Sequence, residues 1–275
     1  MAAAVRQVRE GMTAEAFYEQ DGALFVATGR TSGPWDPRFQ HGGPPAALLA
    51  HAIAAAPDGE GRKIARISCD ILRPIPVVPL RPHVEVVRPG RSIDLVDAFL
   101  ETSDGIPVMA SRAWRLPDGQ IDLPEHVLPA GEPPPPPEHG QEVPFFPVPH
   151  DVGYHSAMEW RFVRGAFREP GPGMAWMRMT VPLIAGEEPS PLTRVLVAAD
   201  SASGISATLD PADYMFMNVD LTVHIHRDLV GEWVALDARS IFTGTRTALA
   251  RSDIYDLRGE IGTTSQTLLV EQRNR

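Results

Sequence analysis

The stretch FMNVDLTVHIHR, residues 216–227, alternates without a fault. Met217, Val219, Leu221, Val223 and Ile225 share one face, and Asn218, Asp220, Thr222, His224 and His226 share the other. A period of two reads as a strand with one apolar face. The pattern also stands 154 residues earlier, where Ala65, Ile67, Cys69 and Ile71 fall under apolar positions and Arg66, Ser68 and Asp70 under polar ones. The register then runs on without a gap. It sets Arg73 under Arg227, Gly90 under Gly244, Leu95 under Leu249 and Gly105 under Gly259. This is an internal duplication of a domain-sized unit, so the chain is expected to fold as two similar halves.

At 275 residues and 43% hydrophobic, the chain can bury one large core or two modest ones. Its single cysteine, Cys69, lies on the apolar face of its strand. That excludes a disulfide framework and fits a reduced, cytoplasmic setting. The first twelve residues, MAAAVRQVREGM, lack the apolar stretch of a signal peptide. No apolar run approaches the roughly 18 residues of a membrane span. The net charge of −10 argues against nucleic acid as a partner, because that affinity comes largely from phosphate neutralisation. A local arginine cluster for a small phosphorylated ligand stays open.

In chain order, residues 14–29 read as two short strands about Asp21-Gly22, a hairpin turn signal. A loop leads to His41-Gly42-Gly43-Pro44-Pro45. The run AALLAHAIAAA then predicts a helix buried on most sides, with Pro45 in its first turn and Pro57-Asp58-Gly59 as its stop. Strands are expected at 62–73, 81–88, 91–103 and 106–115. Residues 118–149, with five consecutive prolines at 133–137, read as an extended, exposed linker between an N-terminal unit at 1–117 and a C-terminal unit at 150–275. The second unit repeats the plan. Strands are expected at 157–168 and 174–182, a helix over about 191–203, the opening strand, then 232–243, 246–256 and 261–271. One antiparallel sheet wrapped around one buried helix is the natural packing for each half.

Asp200 is the sharpest candidate for chemistry. A carboxylate in an apolar helix is costly unless it is hydrogen-bonded, and the offset sets Ala46 under it, so the fold does not demand an acid there. The plain alternative is an exposed stripe or a cap. His41-Gly42-Gly43 precedes a helix start, where glycines let a ligand approach backbone N–H groups and the helix end favours negative charge; a tight loop explains the same glycines. His224 and His226 share a strand face without further ligands at convincing spacing, so no metal is expected. Asp36 and His41 have the spacing of a dehydratase dyad. Gln266 falls over Arg112, so its amide is not a structural requirement. No nucleophile elbow, phosphate loop or dinucleotide fingerprint occurs.

The stretches HGGPPAALLAHAI, VLVAADSASG, NVDLTVHIHRDLVGEWVALDARS and GEIGTTSQTLLVE resemble the acyl-CoA thioesterase II family over nearly the whole chain outside the proline-rich segment. The resemblance implies an α+β tandem double hotdog, each half a curved antiparallel sheet around one long buried helix. It implies hydrolysis of an acyl-CoA thioester without cofactor or metal, in subunits that form a homo-oligomer. The family's water-holding acid, hydroxyl and amide fall on Asp200, Asn218 and Gln266, and its helix glycines on Gly42 and Gly43. The departure is Asn218, an amide in place of a hydroxyl. His41, Gly42 and Gly43 are then the expected oxyanion and substrate-binding residues, and Arg73, Arg227 and Arg239 the candidates for the coenzyme's phosphates. The alternatives are a hotdog enoyl-CoA hydratase using Asp36 and His41, and a non-catalytic acyl-CoA binder.

Overall fold

The structure is a computed structural model and describes residues 16–56, 59–127 and 133–273. The leader reading at residues 1–12, the start of the first hairpin at 14–15 and the helix stop at Pro57-Asp58 lie outside the described residues.

The first half comprises β1 (Tyr18–Asp21), β2 (Leu24–Ala27), α1 (Gly43–Ala54), β3 (Arg62–Ile71), β4 (Pro79–Arg88), β5 (Asp94–Thr102) and β6 (Pro107–Pro117). The second comprises β7 (Met158–Arg164), β8 (Gly173–Met179), α2 (Pro191–Ala199), α3 (Ala202–Ile205), β9 (Tyr214–Asn218), β10 (Asp220–Ile225), β11 (Val234–Phe242), β12 (Thr247–Asp256) and β13 (Gly259–Gln272). All the strand pairings are antiparallel, in one sheet of 13 strands. Its order, β1-β2-β4-β5-β6-β3-β10-β13-β12-β11-β8-β7, is one half followed by the other reversed, with β9 beside β13.

The offset of 154 reappears as geometry where the halves join. Ser68 of β3 pairs with Thr222 of β10, its own counterpart, and the Thr222 hydroxyl donates to Ser68 Oγ at 3.0 Å. On either side Ile67 faces Val223 and Cys69 faces Leu221. A local two-fold axis therefore passes between Ser68 and Thr222. One continuous apolar core crosses this seam and takes in α1, α2 and the inner face of both sheet halves.

The helices pack antiparallel against each other. The start of α1 meets the end of α2, so close that a β-carbon on Gly43 would stand 2.4 Å from the Val197 carbonyl oxygen. Apolar residues around most of α1 let it pack this way on several sides, and Pro44 and Pro45 occupy its first turn. α2 opens on Ser190, whose hydroxyl accepts the Thr193 N–H at 3.2 Å, followed by Pro191.

Four expectations need correction. The helix expected over 191–203 is broken: α2 ends at Ala199, Asp200 is its C-cap, and α3 restarts at Ala202. The break is held by Tyr154, whose hydroxyl donates to the Val197 carbonyl at 2.7 Å and lies 2.9 Å from Ser201 Oγ. Next, the offset of 154 does not extend to the helices. Ala46 lies in the first turn of α1, whereas Asp200 caps the end of α2; its positional equivalent is Ala55, the C-cap of α1. The intervening loops differ in length, which a strand offset does not register.

The opening strand is also split. Asn218 faces Leu268 while Thr222 faces Ser265, so one extra residue lies between β9 and β10. This bulge reverses the alternation. Met217 and Val219 are exposed, Leu221 and Val223 buried, and Asn218 turns inward to Asp200. β3 carries the same irregularity between Ile64 and Arg66. Finally, the proline-rich segment is docked where it runs from 133 to 141, while 118–127 is exposed as expected. Pro137 is buried, the Pro135 carbonyl accepts the indole N–H of buried Trp176 at 2.7 Å, and Gln141 exchanges two backbone hydrogen bonds of 2.8 Å with Phe162.

Candidate active site

The helix break and the bulge bring three of the named residues together. Asn218 Nδ2 donates to Asp200 Oδ1 at 2.7 Å. Gln266 Nε2 donates to the same oxygen at 2.9 Å and to the Asp200 backbone carbonyl, also at 2.9 Å. Gln266 is fully buried and Asp200 is 5% exposed. Removing a carboxylate from water is costly, and these donors offset that cost. The strand register pairs Ser68 with Arg112 but Thr222 with Ser265, so the counterpart of Gln266 is buried Ala113, not Arg112. The hairpin joining β12 to β13 is one residue shorter than its partner.

The other oxygen, Oδ2, faces the start of α1. His41 Nδ1 lies 3.1 Å from it. The Gly43 N–H points at the same nitrogen from 3.3 Å. A proton on Nδ1 converts the shorter contact into a charge-assisted hydrogen bond, whereas a bare Nδ1 would set two lone pairs against each other. The imidazole therefore donates to Asp200, which leaves the Gly43 N–H without a good acceptor. His41 stacks flat on Tyr154, with ring centroids 3.7 Å apart, and burial holds its pKa below the ordinary imidazole value, against the pull of Asp200. Its loop is pinned: the His41 N–H bonds the Thr31 carbonyl at 2.8 Å, and Tyr18 donates to Gln40 Oε1 at 2.6 Å.

The glycines are explained by close approach. Gly42 has right-handed helical geometry, φ −69° and ψ −20°, so positive φ is not the reason for it. A β-carbon there would stand 2.8 Å from Asp200 Oδ2. Any side chain would displace the carboxylate.

Asp36 does not join this group. Arg38 takes its carboxylate through Nε and Nη2 and holds its pKa down at about 2, while His41 faces Asp200. The dyad expected from spacing is thus not assembled. Arg227 is committed to Asp256, with two contacts of 2.7 Å. Arg73 and Arg239 are exposed. His224 lies on the exposed face of β10, and exposed His226 follows just beyond its end, 3.7 Å from Glu260. Cys69 is buried among apolar neighbours, and burial pushes its thiol pKa far up.

Two participants were not anticipated. Ser203 bonds both amides, through its N–H to Gln266 Oε1 at 3.1 Å and its hydroxyl to Asn218 Oδ1 at 3.2 Å. Tyr154 supports both His41 and the helix break. Ser203 stands three residues after Asp200, one helical turn, which is the signal that could have found it. Tyr154 carries no local signal.

The other end of the helix pair is different. There a cavity of about 190 Å³ is lined by Ala50, Ala54, Leu192, Arg62 and Arg115. Ile64 and Ala113 stand where the Asp200 end has Asn218 and Gln266. Asp94 lies 3.1 Å from both Arg62 and buried Arg115. These three residues occupy the positions of Phe216, Ala248 and Leu268 in the second half, which belong to a small apolar cluster. The acid and amides converge at one end only.

Comparison with known proteins agrees along most of the chain. Residues 31–116 match the family model for the acyl-CoA thioesterase N-terminal domain, and residues 124–270 that for the acyl-CoA thioesterase C-terminal domain. A hot dog fold protein of unknown function from Alicyclobacillus acidocaldarius superposes with a TM-score of 0.70 at 18% identity, covering 94% of this chain and 98% of its own. The acyl-CoA thioesterase II TesB2 of Mycobacterium marinum gives 0.65 at 15% identity, covering 94% and 96%. The tesB protein of Mycobacterium avium subsp. paratuberculosis gives 0.63 at 19%, covering 92% and 96%. At these identities the structural likeness is one of fold, the hotdog fold. No curated protein matches at the sequence level.

Proposed function

Since the chain belongs to the acyl-CoA thioesterase family, we propose that it hydrolyses the thioester of an acyl-CoA with Asp200 as general base, Asn218 and Gln266 holding that base and its water, and the start of α1 as the oxyanion site. The observation that carries this reading is the carboxylate itself. One oxygen is fixed by two amide donors, and the other is presented beside His41 and Gly42 at a helix N-terminus.

Water held against the Asp200 carboxylate loses a proton to it as the water oxygen attacks the thioester carbonyl carbon. The carbonyl oxygen becomes an oxyanion, met by the Gly43 N–H and the positive end of α1. Collapse of the tetrahedral intermediate breaks the carbon–sulfur bond. The proton passes from Asp200 to the leaving thiolate, which gives free acid and coenzyme A. The small apolar cluster of Phe216, Ala248, Ala250 and Leu268 flanks the two amides and suits the acyl group. With Arg227 committed, Arg73 and Arg239 are the candidates for the coenzyme's phosphates.

The same reading takes the chain as a tandem double hotdog, with units at 1–117 and 150–275 joined by 118–149. The reversed strand order and the Ser68–Thr222 axis support it. Self-association into a homo-oligomer belongs to the proposal and is read by light scattering.

The test is release of free thiol from a chain-length panel of acyl-CoAs, alongside enoyl absorbance. Asp200→Asn is expected to slow thiol release by about two to four orders of magnitude, the range for a positioned base. The variant keeps an oxygen for the two amides, and its NH2 can meet His41 Nδ1 in the other tautomer, so the melting temperature should hold. Unchanged turnover would exclude Asp200 as base. Loss of enoyl absorbance without thiol would favour hydration, and binding without turnover a carrier role.

A further inference from the structure

A carboxamide has an oxygen end and a nitrogen end of nearly the same shape. The arrangement at Asp200 works only if both amides present nitrogen to Oδ1. Turned over, either would set a carbonyl against a carboxylate and remove a donor. Ser203 stands behind both. Its backbone N–H, which can only donate, meets Gln266 Oε1 at 3.1 Å, and its hydroxyl donates to Asn218 Oδ1 at 3.2 Å. It reaches both because α3 restarts at Ala202, directly after the break, with its first turn beside β13 and the Ser203 hydroxyl within reach of Asn218 at the end of β9.

We propose that Ser203 is a positioning residue that locks both carboxamides in the orientation that aims their NH2 groups at Asp200. This rests on the hydrolytic reading of the site. Ser203 bonds the two amides rather than the Asp200 carboxylate, so it acts through Asn218 and Gln266. The two bonds separate cleanly. Substitution leaves the N–H on Gln266, so the Asn218 half of the lock can be removed alone.

Ser203→Ala is expected to lower kcat about tenfold, the effect of one lost hydrogen bond, with KM for the acyl-CoA unchanged. Ser203→Thr, which keeps the hydroxyl, should restore most of the rate. The double variant Ser203→Ala/Asn218→Ala should be no slower than Asn218→Ala, because the hydroxyl has no other route to the reaction. An unchanged kcat in Ser203→Ala, or losses that multiply in the double variant, would overturn the proposal. Should Ser203→Ala fail to fold, Ser203→Cys keeps the bulk, weakens the donor and carries the same expectation.

A second readout does not depend on turnover. The side-chain NH2 resonances of Asn218, assigned by their loss in Asn218→Ala, should exchange slowly with solvent in the native protein and faster in Ser203→Ala. Unaltered exchange overturns the lock even if the native protein releases no thiol. Absence of thiol release with altered exchange sinks the hydrolytic reading and leaves the lock standing.

Discussion

His41 links the site to solution pH. Burial lowers its pKa below 6.5, so the folded state resists a proton that the unfolded chain accepts. The unfolded state then binds more protons as pH falls through 6.5, and stability declines from there downward until the folded imidazole is itself protonated. His155, lowered by burial and then by neighbouring His150, contributes with the same sign. Melting temperature measured from pH 8 to 5 should therefore fall on the acid side. In His41→Asn, which has no proton to take up, that limb should be shallower while the share of His155 persists. A variant curve parallel to the native one would mean that His41 is not buried in its neutral form. The same imidazole explains a partial reading of the sequence. The Asp36–His41 spacing is real, but spacing along a chain does not reveal that Arg38, two residues from Asp36, competes for it.

At the scale of elements, the bulge between β9 and β10 decides whether Asn218 faces Asp200 or the solvent. Deleting Val219 restores an even register and sends Asn218 to the outer face. Thiol release should then drop by about a hundredfold or more, as for loss of a preorganised donor, while circular dichroism keeps its sheet signature. Retained activity would show that Asn218 is dispensable. The strands were legible because a period of two survives in the sequence, and α1 because its run is apolar but for His51. The bulge was not, and the reason is instructive. Both copies of the repeat carry it, at Ala65 and at Val219, so the offset of 154 passes through it undisturbed. Comparing a chain with itself exposes only what differs between the copies. The helix break at Asp200 lies outside the strand register altogether. Without the break and the bulge in view, Asp200, Asn218 and Gln266 could be named through a family resemblance, whereas Ser203 had only its place one helical turn after Asp200 to mark it.

Across the whole molecule, the two ends of the helix pair divide chemistry from structure. At one end an acid is held by amides. At the other, Arg62 and Arg115 share Asp94, which is 3% exposed. Asp94→Asn would leave two inward guanidinium groups without their carboxylate, and breaking a buried pair in this way costs about 3–5 kcal/mol. The melting temperature should fall accordingly, while kcat per folded chain stays at the native value. A change in kcat would mean that the two ends are coupled through α1 and α2. The axis through Ser68 and Thr222 gives this asymmetry its wider consequence. Two identical chains around such an axis would receive every substitution twice, once at each end, and an improvement at one end would be imposed on the other. Joined in one chain, each end drifts on its own. This protein can refine the proposed catalytic centre at Asp200 while the opposite end is free to become ballast.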